Sequence, residues 1–304
     1  MQTSVIPYGH PRSLNMHKYI RTHSTAALLT TLSIGCSEKP LETGLISASR
    51  TCNGHAELCD RTLDDVTLAT THNAMSSEAA GWIAANQGFG ITRQLEDGIR
   101  GMMLDTMDWN GEDYLCHGYC ELGAQPLQEG LGEIETFLDT HPDNVVLILF
   151  QDGLSVERMT SALDDSGLAA RAWTHDGEFP TLAELIDSGT NLVVTAESGG
   201  PPPAWYHHAW DLIQDTPYSF SSEDEFSCEA NRGETTSPLF LVNHWLGTPL
   251  PTSEGAERVN TDAVLHERAE ACAEARGQRV NLLGVDFYDR GDLFSVVDKL
   301  NGLD

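Results

Sequence analysis

The chain has 304 residues, of which 40% are apolar, and this is enough to bury the core of one barrel-sized domain. Its formal charge is −29, from 46 acidic and 17 basic residues, and its only lysines are Lys18, Lys39 and Lys299. A surface of this charge repels nucleic acid and anionic membranes at long range, so we discount both as partners held by overall electrostatics.

The start of the chain is typical of an export signal. If translation begins at Met16, Lys18 and Arg21 form a basic region, and residues 26–34 form the apolar region that follows it. The letters LSIGC at the end of this region resemble a bacterial lipobox, in which Cys36 becomes the lipidated first residue of the mature protein. The alternative is an ordinary signal peptide with an incidental cysteine.

We therefore predict a targeting segment over residues 1–36, a linker over 37–50 and one domain over 51–304. The protein is expected to be exported. Its predicted location is either the bacterial cell envelope, as a lipoprotein of the periplasm, outer membrane or surface, or the medium, as a secreted protein.

Setting Cys36 aside leaves six cysteines, and an even number in an exported chain is typical of disulfides. Proximity along the chain favours Cys52 with Cys59 and Cys116 with Cys120, which leaves Cys228 with Cys272. The alternative is a zinc cluster built from CHGYC at residues 116–120. That cluster lacks a second close pair of ligands and suits an oxidising compartment poorly.

Past residue 60, short apolar segments alternate with amphipathic segments. The apolar segments predict strands, several of them buried on both faces, at 66–71, 100–105, 145–151, 192–197, 239–244 and 282–287. The amphipathic segments predict helices at 132–140, 156–166, 182–188 and 261–276. This alternation predicts an α/β domain with a largely parallel sheet, and by itself it leaves open whether the sheet is an irregular barrel or an open, doubly wound one.

Polar residues follow the predicted strands, at the point where each strand ends. They are His72, Asn73, Asp105, Gln151, Asp152, Glu197, Asn243, His244 and Asp286. In a parallel barrel the carboxyl ends of the strands face one mouth, which is where active sites lie. Any one of these residues could simply reach solvent, but their shared position favours a barrel with a polar site at one mouth.

Several stretches resemble, in the same order, motifs of the phosphatidylinositol-specific phospholipase C-like phosphodiesterases: THNAM, DGIRGMMLDTMDW, YLCHG, NVVLILFQD and LLGVDFYDRGD. CNGHAELCDR and PLFLVNHW look like the secreted, cysteine-containing branch of that superfamily. The resemblance covers residues 50–290 approximately. It implies a distorted TIM-type (β/α) barrel in a single domain.

The resemblance also implies two catalytic histidines. His72 matches the general base that takes a proton from the inositol 2-hydroxyl, and His117 matches the general acid that protonates the departing glycerol oxygen, so that a cyclic phosphate forms. Histidine suits both roles because its pKa lies near neutrality. Asp286 matches the carboxylate that orients the base. On the residues alone, His117 could merely fill a disulfide-closed loop and Asp286 could pair with Arg290.

The negative charge of the phosphate must be neutralised in the transition state by an arginine or a metal ion. Asp105 stands where metal-independent relatives carry arginine and calcium-dependent ones carry an acidic ligand, and Asn73 matches an asparagine ligand of the calcium-dependent type. Both offer the oxygen donors that Ca²⁺ prefers. The implied Ca²⁺ site is weak, because Met103 and Gln151 stand where calcium-dependent relatives place further carboxylates.

The residues predicted to bind substrate are Arg100, Gln151, Glu197, His244 and Tyr288. Arg100 opens its strand and could instead support the end of the sheet, whereas Tyr288 and Trp245 could stack on a sugar-like ring or belong to the core. The expected substrate is a phospholipid or a small phosphodiester, with no nucleic acid. We expect a monomer that attaches to a membrane only if Cys36 is lipidated.

Two other functions stay open at this point. One is a catalytically silent barrel that binds a ligand or is tethered to the envelope, and the presence of both histidines favours the enzyme over it. The other is a hydrolase in which water attacks, like a glycerophosphodiesterase or a phospholipase D. Such relatives usually carry a Glu-x-Asp metal pair, and here Met103 replaces the glutamate of that pair.

Overall fold

The structure is a computed structural model, and it describes residues 50–303. These residues belong to one compact unit, Ala48–Asp304. The predicted targeting segment, with Cys36 and nearly all of the linker, lies outside the described residues.

Eight strands of one sheet run parallel: β1 (Leu68–Thr71), β2 (Gly101–Trp109), β5 (Val146–Asp152), β6 (Leu192–Ala196), β7 (Tyr206–His208), β8 (Ile213–Asp215), β9 (Leu239–His244) and β10 (Leu282–Val285). Their order across the sheet is β7-β6-β5-β2-β1-β10-β9-β8. Two antiparallel strands, β3 (Glu112–Leu115) and β4 (Gln125–Pro126), extend the carboxyl end of β2. Within the described residues no ladder joins β7 to β8, so the sheet curls into a barrel with one open seam.

Helices connect the strands: α1 (Ile91–Asp97), α2 (Leu127–Thr140), α3 (Val156–Asp165), α4 (Leu182–Ser188), α5 (Ala209–Leu212), α6 (Ser253–Val259), α7 (Asp262–Arg276) and α8 (Leu293–Asn301). The ends of α4 show why these segments are helical. Thr181 and Glu184 cap each other's backbone N–H groups, and Gly189 ends the helix in the left-handed conformation. Within residues 50–303 no helix is long and apolar enough to cross a bilayer.

All six predicted strands and all four predicted helices are present, with small differences at their ends. The largest difference is α2, which begins at Leu127 rather than at residue 132. Gly130 and Gly132 weaken the helical signal in its first turns. Eight elements were not predicted: the strands β3, β4, β7 and β8 and the helices α1, α5, α6 and α8. The four strands and α5 have only two to four residues each, too few to show a readable periodicity.

The buried residues of the strands alternate between two clusters. In β5, Leu147 and Leu149 belong to the cluster inside the barrel, and Ile148 and Phe150 belong to the cluster beneath the helices. Successive side chains of a strand point to opposite faces, so both faces of the sheet are buried and the strands read as unbroken apolar runs. The same alternation decides which polar residues at the strand ends point into the barrel.

The three predicted disulfides are confirmed: Cys52–Cys59, Cys116–Cys120 and Cys228–Cys272. They rule out the zinc alternative at CHGYC, because both of its thiols are bonded to each other. Each disulfide fixes a segment that has little regular structure of its own.

Two glycines of α2 allow a matched test of packing. A Cβ at Gly130 would lie 2.4 Å from Leu115 Cδ1, whereas a Cβ at Gly132 meets nothing within 4 Å. We expect Gly130→Ala to lower the free energy of unfolding by about 1–3 kcal/mol through overpacking, and Gly132→Ala to raise it by roughly 0.5–1 kcal/mol through helix propensity. Urea denaturation of both variants measures this, and equal effects of the same sign would contradict the packing described here.

Candidate active site

A cavity of about 340 Å³ opens at the carboxyl end of the barrel. Its lining residues are His72, Met103, Asp105, His117, Leu149, Gln151, Glu197, Tyr218, Ser219, Arg232, Trp245, Gly247 and Thr248. Met103 and Asp105 alternate along β2, as do Leu149 and Gln151 along β5, so the strand residues of the cavity share the face that points into the barrel. The predicted polar mouth is therefore present.

His72 and Asp286 form the central contact of the cavity. His72 Nδ1 donates to Asp286 Oδ1 at 2.8 Å, and the Asp286 side chain is only 4% exposed. A carboxylate only accepts hydrogen bonds, so the proton of a neutral His72 lies on Nδ1 and Nε2 is left as the basic atom. Asp286 does not pair with Arg290, which contacts Asp289 instead.

Neighbouring side chains hold His72 in this orientation. Its ring stacks on Trp245 with centroids 3.9 Å apart, and Asn86 Nδ2 donates to the same Asp286 oxygen at 3.1 Å. Gln87 Nε2 donates to the carbonyl of His72, the residue after β1, and to the carbonyl of Val285, the last residue of β10. The imidazole is therefore fixed by one stacking contact, one ionic hydrogen bond and a buried amide that joins the two strand ends.

His117 lies on the loop closed by Cys116–Cys120, and its side chain is 55% exposed. Its Nε2 lies 3.9 Å from Asp105 Oδ2. Partial burial lowers the pKa of His117, and the nearby His72 lowers it further, whereas Asp286 opposes the shift. A lowered pKa makes the imidazolium a stronger proton donor, although a smaller fraction of it is charged at neutral pH.

Asp105 is a buried carboxyl, 7% exposed, on the inner face of β2. Burial raises the pKa of Asp105 to about 7, His72 lowers it, and the carboxylate of Glu197 raises it. No described arginine or lysine contacts Asp105. The group therefore changes its charge close to neutral pH.

Arg232 is the one arginine that lines the cavity, within residues 50–303. Its Nη2 donates to the buried Asp215 at 2.6 Å and its Nη1 to Glu197 at 2.7 Å. The guanidinium also lies against the rings of Trp210 and Tyr218, at 4.2 and 4.7 Å from the centroids. These contacts preorganise the guanidinium and leave part of its N–H donors for a ligand.

The two predicted calcium ligands do not form a metal site in this structure. Asp105 lines the cavity, but Asn73 is buried outside it, and Asn73 Nδ2 donates to Asn86 Oδ1 at 3.3 Å. The inner wall adds a thioether at Met103 and a neutral amide at Gln151. Among residues 50–303 no group of three or more His, Cys, Asp or Glu side chains is placed to share an ion. This donor set does not suit Ca²⁺, which takes six to eight oxygen ligands.

Three predicted substrate-binding residues lie outside the cavity, and those predictions are wrong. Arg100 precedes β2 at the opposite end of the barrel, where its Nε donates to Asn144 Oδ1 at 2.9 Å. His244 faces outward from β9 and is fully buried, with its Nε2 2.9 Å from Val259 O. Tyr288 is also buried, and its hydroxyl donates to Asp97 at 2.8 Å. Gln151 and Glu197 do line the cavity, as predicted.

Four residues of the site were not predicted from the sequence: Asn86, Asp215, Tyr218 and Arg232. Side chains alternate between the two faces of a strand, and this alternation predicts that Asn243 and not His244 points into the barrel. Asn243 does point inward, and its Nδ2 donates to Asp215 at 3.0 Å. No such signal exists for Arg232, which lies on an irregular segment after β8. Its place in the cavity depends on tertiary contacts alone.

The fold and site together define an α/β barrel with paired histidines at the carboxyl end of its strands. Residues 58–301 match the family model described as PI-PLC X 1, and the chain therefore belongs to the PI-PLC X family. This confirms the resemblance seen in the sequence motifs.

Two proteins of Arthroderma benhamiae are similar in sequence. A PI-PLC X domain-containing protein 1 is 29% identical over 91% of this chain and 96% of its own length. An uncharacterized secreted protein is 29% identical over 84% of this chain, which spans 65% of that relative's length. Among solved structures, the phosphatidylinositol-specific phospholipase C from Listeria monocytogenes has a TM-score of 0.55 at 15% identity and covers 81% of this chain and 95% of its own. That likeness shows the shared barrel fold.

The raised pKa of Asp105 makes stability depend on pH. The folded protein keeps the Asp105 proton up to about pH 7, whereas the unfolded chain loses it near 3.8, so the folded state is penalised increasingly as pH rises between these values. Asp105→Asn removes the penalty. We expect the free energy of unfolding of this variant, relative to that of the wild type, to increase by roughly 2–4 kcal/mol between pH 4 and pH 8 in urea denaturation. A difference that does not change with pH would contradict the assignment.

Proposed function

We propose that this protein is an exported phosphodiesterase in which His72 is the general base and His117 the general acid. The observation that carries the proposal is that His72, oriented by Asp286 at 2.8 Å, lines the same cavity as His117. Membership of the PI-PLC X family supports the same chemistry.

In the proposed reaction, His72 Nε2 takes the proton of a hydroxyl on the substrate's own headgroup, and that oxygen attacks phosphorus. His117 gives a proton to the departing oxygen, so the products are a cyclic phosphodiester and an alcohol. Asp286 stabilises the imidazolium that forms on His72. Gln151 and Glu197 are positioned to accept or donate hydrogen bonds to headgroup hydroxyls, which suits a phosphatidylinositol-like substrate.

Arg232 is the proposed source of positive charge at the phosphate or headgroup. It replaces the arginine that the sequence lacks at position 105, and its charge is partly offset by Glu197 and Asp215. A cavity in which carboxylates partly offset the charge of Arg232 stabilises an anionic transition state less strongly than one with an unpaired arginine. This partial neutralisation favours the second candidate function, a barrel that binds a ligand without catalysis.

A second groove of about 360 Å³ begins at the same two histidines. Its rim carries four of the exposed large apolar side chains, with Ile83 64%, Tyr119 73%, Leu122 41% and Leu250 60% exposed. An apolar surface next to the general acid suits a lipid leaving group better than a small polar alcohol. We therefore favour a phospholipid over a small phosphodiester as substrate.

The proposed location is outside the cytoplasm. A similar protein of Arthroderma benhamiae is a secreted protein, and three disulfides are typical of an oxidising compartment. Lipidation at Cys36, attachment to the bacterial envelope and a monomeric state remain parts of the proposal, as does the absence of nucleic-acid binding.

The two histidines are separable by their leaving groups. If His117 is the general acid, His117→Ala should slow cleavage of an alkyl ester by about 10²–10⁴-fold and of a nitrophenyl ester far less, because nitrophenolate leaves without a proton. His72→Ala should slow both alike, since the nucleophile needs activation in either case. Steady-state kinetics with both esters measures this, and equal losses in both variants on both substrates would exclude these roles.

Calcium dependence remains a prediction from the sequence, and the donor set makes it weak. We expect a calcium chelator to leave at least about half of the activity, because the described cavity offers Asp105 without the further ligands that Ca²⁺ needs. Added Ca²⁺ is the control. A loss of activity of more than about tenfold in chelator, restored by added Ca²⁺, would reverse this view if the activity of Asp105→Asn did not respond to chelator or Ca²⁺.

A further inference from the structure

The segment between β8 and β9, residues 216–238, forms one wall of the active-site cavity. We call it the strap. It contributes Tyr218, Ser219 and Arg232 to the cavity lining, and apart from one short 3-10 turn at Glu223–Glu225 it has no regular structure. Its shape must therefore be held by contacts with the barrel and the helices.

One end of the strap is held by the barrel itself. Asp215 Oδ1 accepts from Arg232 N at 2.7 Å and from Asn231 Nδ2 at 3.1 Å. Gly233 follows with φ +75°, and a Cβ there would lie 2.1 Å from Ile213 O. Only glycine allows the strap to approach β8 this closely.

The middle of the strap is held by Arg268 of α7. Its guanidinium lies 3.9 Å from the ring centroid of Phe226 and 5.1 Å from that of Phe220, and Nη2 donates to Ser227 O at 3.3 Å. Arg268 is 7% exposed and, among residues 50–303, contacts no carboxylate and has no hydrogen-bond partner at Nε. Burial lowers the pKa of Arg268 to about 9. A buried cation of this kind is costly, and three of its contacts are with the strap.

The Cys228–Cys272 disulfide joins the same part of the strap to α7 covalently. Cys228 is half-buried, whereas the other five bonded cysteines are at most 8% exposed. A thiolate attacks a disulfide only at a sulfur that it can reach. Of the three bonds, this is the one with a cysteine that is not fully buried, and we expect it to be the easiest to reach.

We propose that Arg268 and the Cys228–Cys272 disulfide position the strap, and that this disulfide is the point at which a dithiol opens the wall of the active site. The attacking dithiol supplies two electrons, and the two cysteine sulfurs end as thiols while the dithiol closes to its own disulfide. Opening the bond frees the middle of the strap, so that Tyr218 can leave the cavity while Asp215 still holds Arg232. His72, Asp286 and His117 lie on other segments and keep their places.

The first test needs no catalytic activity. The full chain is treated with graded dithiothreitol, its thiols are mapped by mass spectrometry, and amide hydrogen exchange is followed. We expect Cys228 and Cys272 to be the first thiols released, with exchange in residues 217–230 at least about tenfold faster and β1, β2 and β10 still protected. A Cys52→Ala/Cys59→Ala variant is the control and should keep the strap protected. Earlier release of another pair, or an unchanged strap after Cys228–Cys272 has opened, would overturn the proposal.

The second test separates positioning from simple destabilisation, and it rests on the proposed function. Arg268→Met should raise KM for a phosphatidylinositol substrate by about tenfold with kcat changed less than about twofold, because Tyr218 loses its fixed place while the histidines and the Asp215-bound Arg232 keep theirs. Arg268→Lys should recover part of that loss, since it keeps the charge without the planar stack. Arg279→Met, which lies off the strap, should change neither constant.

A fall in kcat alone, or the same KM change in Arg279→Met, would contradict a positioning role for Arg268. If the wild type cleaves no phosphodiester, the proposed function fails while the exchange experiment still decides the role of the strap. The same exchange measurement on Arg268→Met and Arg268→Lys then replaces the kinetic comparison, with faster strap exchange expected in the methionine variant than in the lysine variant.

Discussion

The hydrogen bond between His72 and Asp286 is the contact on which the site depends, because it joins the ends of two neighbouring parallel strands. β1 and β10 pair in register from Leu68 with Leu282 to Thr71 with Val285, so the residues that follow them leave the sheet side by side. Gln87 bonds the carbonyls at both strand ends, and Trp245 covers the imidazole. A shift of one residue in this register would turn the side chain on the shifted strand to the other face of the sheet and so break the contact.

Charge is the second constraint on the cavity. Asp105, Glu197, Asp215 and Asp286 lie in or beside a space whose only described arginine is Arg232, in a chain of net charge −29. Burial raises the pKa of both Asp105 and Glu197, so protonation relieves part of the repulsion. Within residues 50–303 the cavity therefore offers one preorganised guanidinium, at Arg232, together with carboxyl groups that can take up protons.

Strand periodicity explains which of the predicted site residues face the cavity. His72, Asp105, Gln151, Glu197 and Asp286 occupy alternate positions that continue the inward face of their strands, and all but Asp286 line the cavity directly. Asn73 follows His72 by one residue, and His244 follows the inward-facing Asn243 by one residue, so both point to the opposite face of the sheet. There Asn73 hydrogen-bonds to Asn86, and His244 hydrogen-bonds to the carbonyl of Val259. Arg100 does not reach the cavity for a different reason, because it precedes its strand and lies at the other end of the barrel.

The sequence by itself determined six of the strands, four of the helices and the disulfide partners, because apolar periodicity and cysteine spacing are properties of the chain alone. The motifs that resemble the family pointed to His72, His117 and Asp286, which the fold brings together. Only the tertiary structure decided that Arg232 and Tyr218 complete the cavity and that Asn73 does not. The strap has no periodicity to predict its path, and its position depends on a disulfide to α7, a buried arginine between two phenylalanines and a glycine against β8. These contacts join residues far apart in the chain, so no local pattern can specify them.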